Sequence, residues 1–206
     1  MDEPLAVASL KRFIADDEIK NGKSPEVAKK AEPNGIKVAV VGSGPAGINC
    51  AYQLAIAGYS VTIFEALPEP GGMLKYGIPD YRLDKSVLNR EVGILESLGV
   101  EIRCGVAIGK DITFQDLRKE GYKAFFLGIG AHRDVKMGIP GEELPGVVPG
   151  VEFLRDINMG RKPRIGKKVL VIGGGNVAMD VCRSAARLGC QVTVVYRRSE
   201  QEMPAS

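Results

Sequence analysis

Two short stretches of this 206-residue chain place glycines between an apolar run and a helical pattern, a spacing suited to holding a phosphate chain. Gly42-Ser43-Gly44-Pro45-Ala46-Gly47 follows the apolar run 37–41, and Gly173-Gly174-Gly175-Asn176-Val177-Ala178 follows the run 168–172. In a strand, turn, helix, strand unit the first glycine permits a tight turn and the second lets backbone approach a pyrophosphate. The third permits close helix–strand packing, while the helix N-terminus faces the negative charge. Gly42, Gly44 and Gly47 meet all three needs, and Ala178 in the third place of the second stretch is a permitted variant. Such a spacing by itself is a weak signal, because glycines at strand–helix turns often serve the turn alone. What strengthens it here is the residue type at the tip of the next strand.

Glu65 ends the apolar run 60–64 of the first unit, where a carboxylate accepts hydrogen bonds from ribose hydroxyls and disfavours a 2′-phosphate. Arg197 and Arg198 stand at the corresponding place of the second unit. A guanidinium presents a fork of donors that matches phosphate, so the second turn reads as a site for the 2′-phosphate of NADP(H). Two dinucleotide turns with opposite strand-end charge call for two different nucleotides, and the economical assignment is FAD at the first and NADPH at the second.

The elements that must position these residues are legible as patterns. Apolar residues at helical spacing predict helices over 4–20, 46–57, 114–119 and 179–188, and a further one after residue 82 with Leu88, Val92, Leu95 and Leu98 on one face. Strands are predicted over 37–41, 60–65, 100–104, 124–127 and 168–172, with a last one over 191–196. The run Ala124-Phe125-Phe126-Leu127 lacks alternation and therefore predicts a strand buried on both faces. Residues 21–35 read as a connector, 73–82 as a loop, and 138–150 as a Pro/Gly hinge. The division that follows is a leading helix and connector over 1–35, a first nucleotide-binding unit over 36–150 and the start of a second over 151–206. The fold class is α/β, with two Rossmann-like units built on parallel sheets, the second incomplete.

Composition narrows the function. Hydrophobic residues at 45% and charged residues at 26% are globular values, and 26 glycines without a repeat period point to tight turns and close backbone approach. A net charge of +3, with acidic and basic residues interleaved, makes no nucleic-acid footprint. Apolar stretches of about six to eight residues fall far short of the roughly 20 that span a bilayer, so no membrane role is expected and the protein reads as cytoplasmic. One His and four Cys, at spacings without C-x-x-C, argue against a zinc site or a disulfide-exchange centre. No catalytic side chain and no metal ligand is assigned.

The stretches Val40 to Gly47, Pro70-Gly71-Gly72-Met73-Leu74, Tyr76-Gly77-Ile78-Pro79 and Tyr81-Arg82-Leu83 resemble the NADPH-dependent FAD oxidoreductases typified by the glutamate synthase small (beta) subunit. The amino-terminal part of dihydropyrimidine dehydrogenase is a relative. Ile139-Pro140-Gly141-Glu142, Gly173 to Asp180, Val195-Tyr196-Arg197-Arg198 and Glu202-Met203-Pro204-Ala205 carry the resemblance along nearly the whole chain. It implies that Gly42, Gly44, Pro45, Ala46, Gly47, Glu65, Ala66, Gly72, Met73 and Leu74 line FAD, with Val106 near its adenine end. It implies likewise that Gly174, Gly175, Asn176, Val177, Arg197 and Arg198 hold NADPH. Members of this family begin with a cysteine-rich segment that binds iron–sulfur clusters and continue well past the Met-Pro-Ala motif. With no Cys before Cys50, iron–sulfur clusters are expected only in segments absent from this chain, which looks like an internal piece of a longer enzyme or a shortened member. The implied function passes hydride from NADPH to FAD and electrons on to a partner subunit, of which the glutamate synthase large subunit is the type case. A homodimer is expected to mask the open edge of the second unit. The competing expectation is a nucleotide-binding or assembly module without turnover of its own, and a disulfide reductase is a weaker third.

Overall fold

The computed structural model describes residues 5–22 and 28–205. The start of the expected leading helix at residue 4, part of the connector (23–27) and Ser206 lie outside the described residues.

The first sheet contains β1 (Lys37–Val41), β2 (Ser60–Glu65), β3 (Glu101–Cys104) and β4 (Tyr122–Leu127), all parallel, in the order β3-β2-β1-β4. Parallel strands need crossovers, and the helices between them cover both faces. Helix α2 (Pro45–Ile56) and helix α4 (Lys85–Ser97) bury Ala51, Ala55 and Leu95 against Val40, Val61 and Ile63 on one face. On the other face, Leu117 of α5 (Phe114–Lys119) packs with Ala39, Phe64 and Tyr122. Adjacent residues of β1 therefore point to opposite cores, which explains why the whole run is apolar.

β4 departs from its sequence expectation. Phe125 stacks edge-on against Phe114, with ring centroids 5.1 Å apart, but Phe126 and Leu127 are 37% and 60% exposed. An uninterrupted apolar run predicts burial on both faces only for a strand with neighbours on both sides. β4 is the sheet edge, bonded to β1 alone. The segment read as loop after Gly72 also contains a short helix, α3 (Met73–Tyr76).

The second sheet is separate and has two parallel strands, β5 (Lys168–Ile172) and β6 (Gln191–Val195). Helices α6 (Gly150–Asn158) and α7 (Asn176–Arg187) cover one face through Phe153, Leu154, Val181 and Ala185 against Val171. On the other face Leu170 and Ile172 are 70% and 59% exposed. The described part of the leading helix, α1 (Val7–Lys20), has no buried residue and touches the first unit through a Glu18–Arg90 ion pair of 3.7 Å. The connector after it is pinned: Ala31 N–H donates to the Ile56 carbonyl at 2.8 Å and Lys30 Nζ to that of Leu98 at 2.7 Å.

Candidate functional site

The three glycines of the first turn do different work. Gly42 has φ +97°, and a Cβ there would lie 2.5 Å from the Gly128 carbonyl oxygen. At Gly47 a Cβ would lie 1.9 Å from the Gly42 carbonyl oxygen, so this position needs glycine for helix–strand packing. Gly44, by contrast, is an extended N-cap residue whose Cβ would meet nothing within 4 Å. Steric fit to the protein does not require glycine at Gly44, and the open space over it is what an approaching pyrophosphate would use. Helix α2 starts there with Pro45 at its first turn and no side-chain cap. Pro45 and Ala46 are exposed, so the helix end presents its free amides outward.

The second turn repeats this division. Gly175 is the extended, uncapped N-cap of α7 and has open space over it. Asn176 and Val177 lie exposed at the helix start. A Cβ on Gly174 would sit 2.9 Å from Tyr196 ring atoms, so Gly174 is glycine because an aromatic ring covers it.

Glu65 is 6% exposed and anchors the first turn. Its Oε2 accepts from Ser43 N–H at 3.0 Å and from Ser43 Oγ, and its Oε1 accepts from Leu67 N–H at 2.8 Å. A carboxylate offers about four lone-pair sites, so room remains on Oε1 for one ribose hydroxyl. Ser43 Oγ in turn accepts from Gly71 N–H at 3.0 Å, and a Cβ on Gly72 (φ +54°) would lie 2.8 Å from Gly44 Cα. The segment carrying Gly72, Met73 and Leu74 is thereby folded onto the turn. Val106 N–H donates to the Glu65 carbonyl at 2.9 Å, which brings Val106 beside the strand end, next to exposed Ala66. Ser43 and Gly71 lie inside the sequence motifs without an expected site role, and Gly128 lies outside those motifs. Only the repeated small residues around the turn hinted at their closeness.

The strand-end comparison needs one correction. Gly42 N–H bonds the Phe64 carbonyl at 2.8 Å, and Gly173 N–H bonds that of Val195 at 2.9 Å. The residue structurally equivalent to Glu65 is therefore Tyr196. Arg197 and Arg198 follow one and two places later, in a bend beyond β6. Both are exposed. The bend turns back through a capping box between Ser199 and Glu202, and Ala205 N–H closes it onto the Gly174 carbonyl at 3.1 Å. The arginines thus stand at the rim of the second turn.

The four cysteines are unpaired, and no metal-binding cluster exists among the described residues. Burial raises the thiol pKa of Cys50, Cys104 and Cys182 above the ordinary range, which makes them poor nucleophiles. His132 lies in the linker between the sheets, where its carbonyl accepts from Arg155 at 3.2 Å. Among the described residues no helix is long and apolar enough to cross a membrane.

The family described as pyridine nucleotide-disulphide oxidoreductase matches residues 36–205. The chain is 46% identical over its whole length to the beta subunit of an NADP(+)-dependent formate dehydrogenase from Moorella thermoacetica, of which it covers 32%. It is 38% identical to the glutamate synthase [NADPH] small chain of Halomonas elongata, with 98% of this chain and 45% of that one covered. Among solved structures, Mycobacterium tuberculosis FprA in complex with NADPH superposes with a TM-score of 0.70 at 27% identity, covering 85% of this chain and 46% of that one. The chain thus spans about a third to a half of the length of the curated relatives it matches.

Proposed function

This chain belongs to the pyridine nucleotide-disulphide oxidoreductase family, and from that premise we propose that it is the nucleotide-binding part of a flavin-dependent oxidoreductase that passes hydride from NADPH to FAD. The observation that carries the reading is the pair of uncapped helix ends, each with open space over its N-cap glycine, Gly44 and Gly175. The first turn would hold FAD through the backbone of Gly42, Gly44, Pro45, Ala46 and Gly47, with Glu65 toward a ribose and Ala66 and Val106 along the adenine end. Gly72, Met73 and Leu74 would line the remainder. The second turn would hold NADPH through Gly174, Gly175, Asn176 and Val177, with Arg197 and Arg198 toward the 2′-phosphate.

What the two cofactors supply when bound is the redox chemistry itself, a two-electron hydride transferred from nicotinamide to flavin. The chain's own contribution is to bind and orient. Helix ends α2 and α7 place partial positive charge at the two phosphate sites, and the Ser43–Glu65 hydrogen bonds keep the first turn in shape. Electrons would then leave to a partner subunit. Relatives named as beta subunits and as a small chain support such a partner. Residues 36–150 and 151–206 would serve the two nucleotides in turn.

The test is reconstitution with FAD followed by anaerobic titration with NADPH. Flavin absorbance that is retained after desalting and bleached by NADPH is the expected result. Retained flavin without bleaching would favour the module without turnover, and failure to retain flavin would remove the reading.

A further inference from the structure

We propose that the Arg82–Asp180 ion pair, seated against Tyr81 and Arg187, is a positioning element that fixes the second nucleotide turn relative to the first. Its consequence for catalysis rests on the hydride-transfer reading above, but the tether itself does not.

The covalent connection is tied to α6 by the Arg155–His132 and Val151–Asp134 hydrogen bonds but carries no regular element from one sheet to the other. Between β4, ending at Leu127, and α6, starting at Gly150, the chain forms neither helix nor strand. The two sheets share no hydrogen-bonded strand pair. Their relative placement must come from side chains that cross the junction, and the polar crossings converge on one place. Arg82 Nη1 lies 2.9 Å from Asp180 Oδ2, and the Tyr81 hydroxyl lies 3.4 Å from Asp180 Oδ1 and 3.3 Å from the Asp180 carbonyl oxygen. The Arg187 guanidinium stacks over the Tyr81 ring at 3.9 Å. Beside them, Asn158 Nδ2 donates to the Tyr76 carbonyl at 2.9 Å.

Each end of the pair is tied to a nucleotide turn. Asp180 lies four residues beyond Asn176, about one helical turn above the N-terminus of α7. Arg82 lies in the turn 79–83, whose amides return to the Pro79 carbonyl, directly after α3. Gly72, the residue packed on Gly44, is the N-cap of α3, and Lys85 Nζ grips the same segment through the Leu74 and Ile78 carbonyls. A continuous path of contacts and chain therefore runs from Gly44 through Gly72, α3 and Arg82 to Asp180 and Gly175. Asp180 is 6% exposed at its side chain, so loss of Arg82 leaves a buried carboxylate with only the long Tyr81 contact. Hydride transfer depends steeply on the distance between the reacting atoms, so a change at this junction acts on the reaction from outside the reacting centre.

The experiment compares Arg82→Gln, Asp180→Asn and the double variant with the unaltered protein. Hydrogen exchange should become about fivefold faster or more over residues 73–83 and 150–158, and stay unchanged in β1 and β5. In FAD-reconstituted protein, flavin reduction at saturating NADPH should slow by about tenfold or more, while flavin content and NADPH affinity change by no more than roughly twofold. Arg82→Lys should recover part of the rate, and the double variant should be no slower than the worse single. Exchange that stays unchanged in both single variants would overturn the tether. A parallel loss of flavin, NADPH affinity and thermal stability with an unchanged reduction rate would make the pair merely structural and overturn positioning. If the unaltered protein binds no flavin, the proposed function falls, and the exchange result still decides the tether.

Discussion

Tyr196 occupies in the second unit the strand-end place that Glu65 occupies in the first. The backbone bonds Gly42 N–H to Phe64 and Gly173 N–H to Val195 put the two residues at the same step of the two units. Each also contacts the second residue of its own glycine turn. Glu65 does so by hydrogen bonds to Ser43, and Tyr196 by laying its ring over Gly174. One unit closes its turn with a buried charge, the other with an aromatic face, and this leaves the charged residues of the second unit free at the rim.

Gly174→Ala should therefore disturb the second unit alone. The added methyl would meet Tyr196 ring atoms at 2.9 Å, and overpacking of this kind costs about 1–3 kcal/mol. Thermal unfolding and NADPH titration should both show the loss, whereas FAD retention should be unaffected. Loss of FAD in this variant would contradict the division of labour between the turns.

The glycines of the first turn should separate binding from folding. Gly44→Ala introduces a methyl into open space on an extended backbone, so the melting temperature should hold while FAD retention falls sharply. Gly47→Ala would drive a methyl to 1.9 Å from the Gly42 carbonyl oxygen and should unfold or strongly destabilise the unit. Full flavin occupancy in Gly44→Ala would show that the open space does not receive the pyrophosphate.

Glu65→Gln is nearly isosteric but cannot accept from Ser43 and Leu67 at both oxygens, because one becomes an amide nitrogen facing a backbone N–H. Charge-assisted hydrogen bonds of this kind contribute about 1.5–3 kcal/mol, so destabilisation of that order is expected in denaturant unfolding, together with weaker FAD retention. A variant as stable as the parent would mean that Glu65 serves a ligand and not the turn.

Replacing both rim arginines in Arg197→Ala/Arg198→Ala should weaken NADPH binding about tenfold to a hundredfold and leave NADH binding nearly unchanged. Both side chains are exposed, so added salt should shrink the preference of the unaltered protein as well. Equal affinity for NADH and NADPH before mutation would remove the 2′-phosphate assignment.

The sequence by itself determined the periodic elements and the two turns. Runs such as 37–41 and 168–172 became strands, and 114–119 became a helix, because local apolar spacing and glycine chemistry are written in consecutive residues. Only the tertiary structure decided the burial of β4, since edge or centre is a matter of strand order and not of the run Ala124 to Leu127. It likewise decided that Tyr196 and not Arg197 matches Glu65, because register is set by hydrogen bonds between strands, which here pair Ile172 with Val195. The meeting of Arg82 with Asp180, 98 residues apart in the chain, left no trace in either local pattern. Each residue is an ordinary polar side chain in its own segment, and only the seating of the turn 79–83 against α7 makes them a pair.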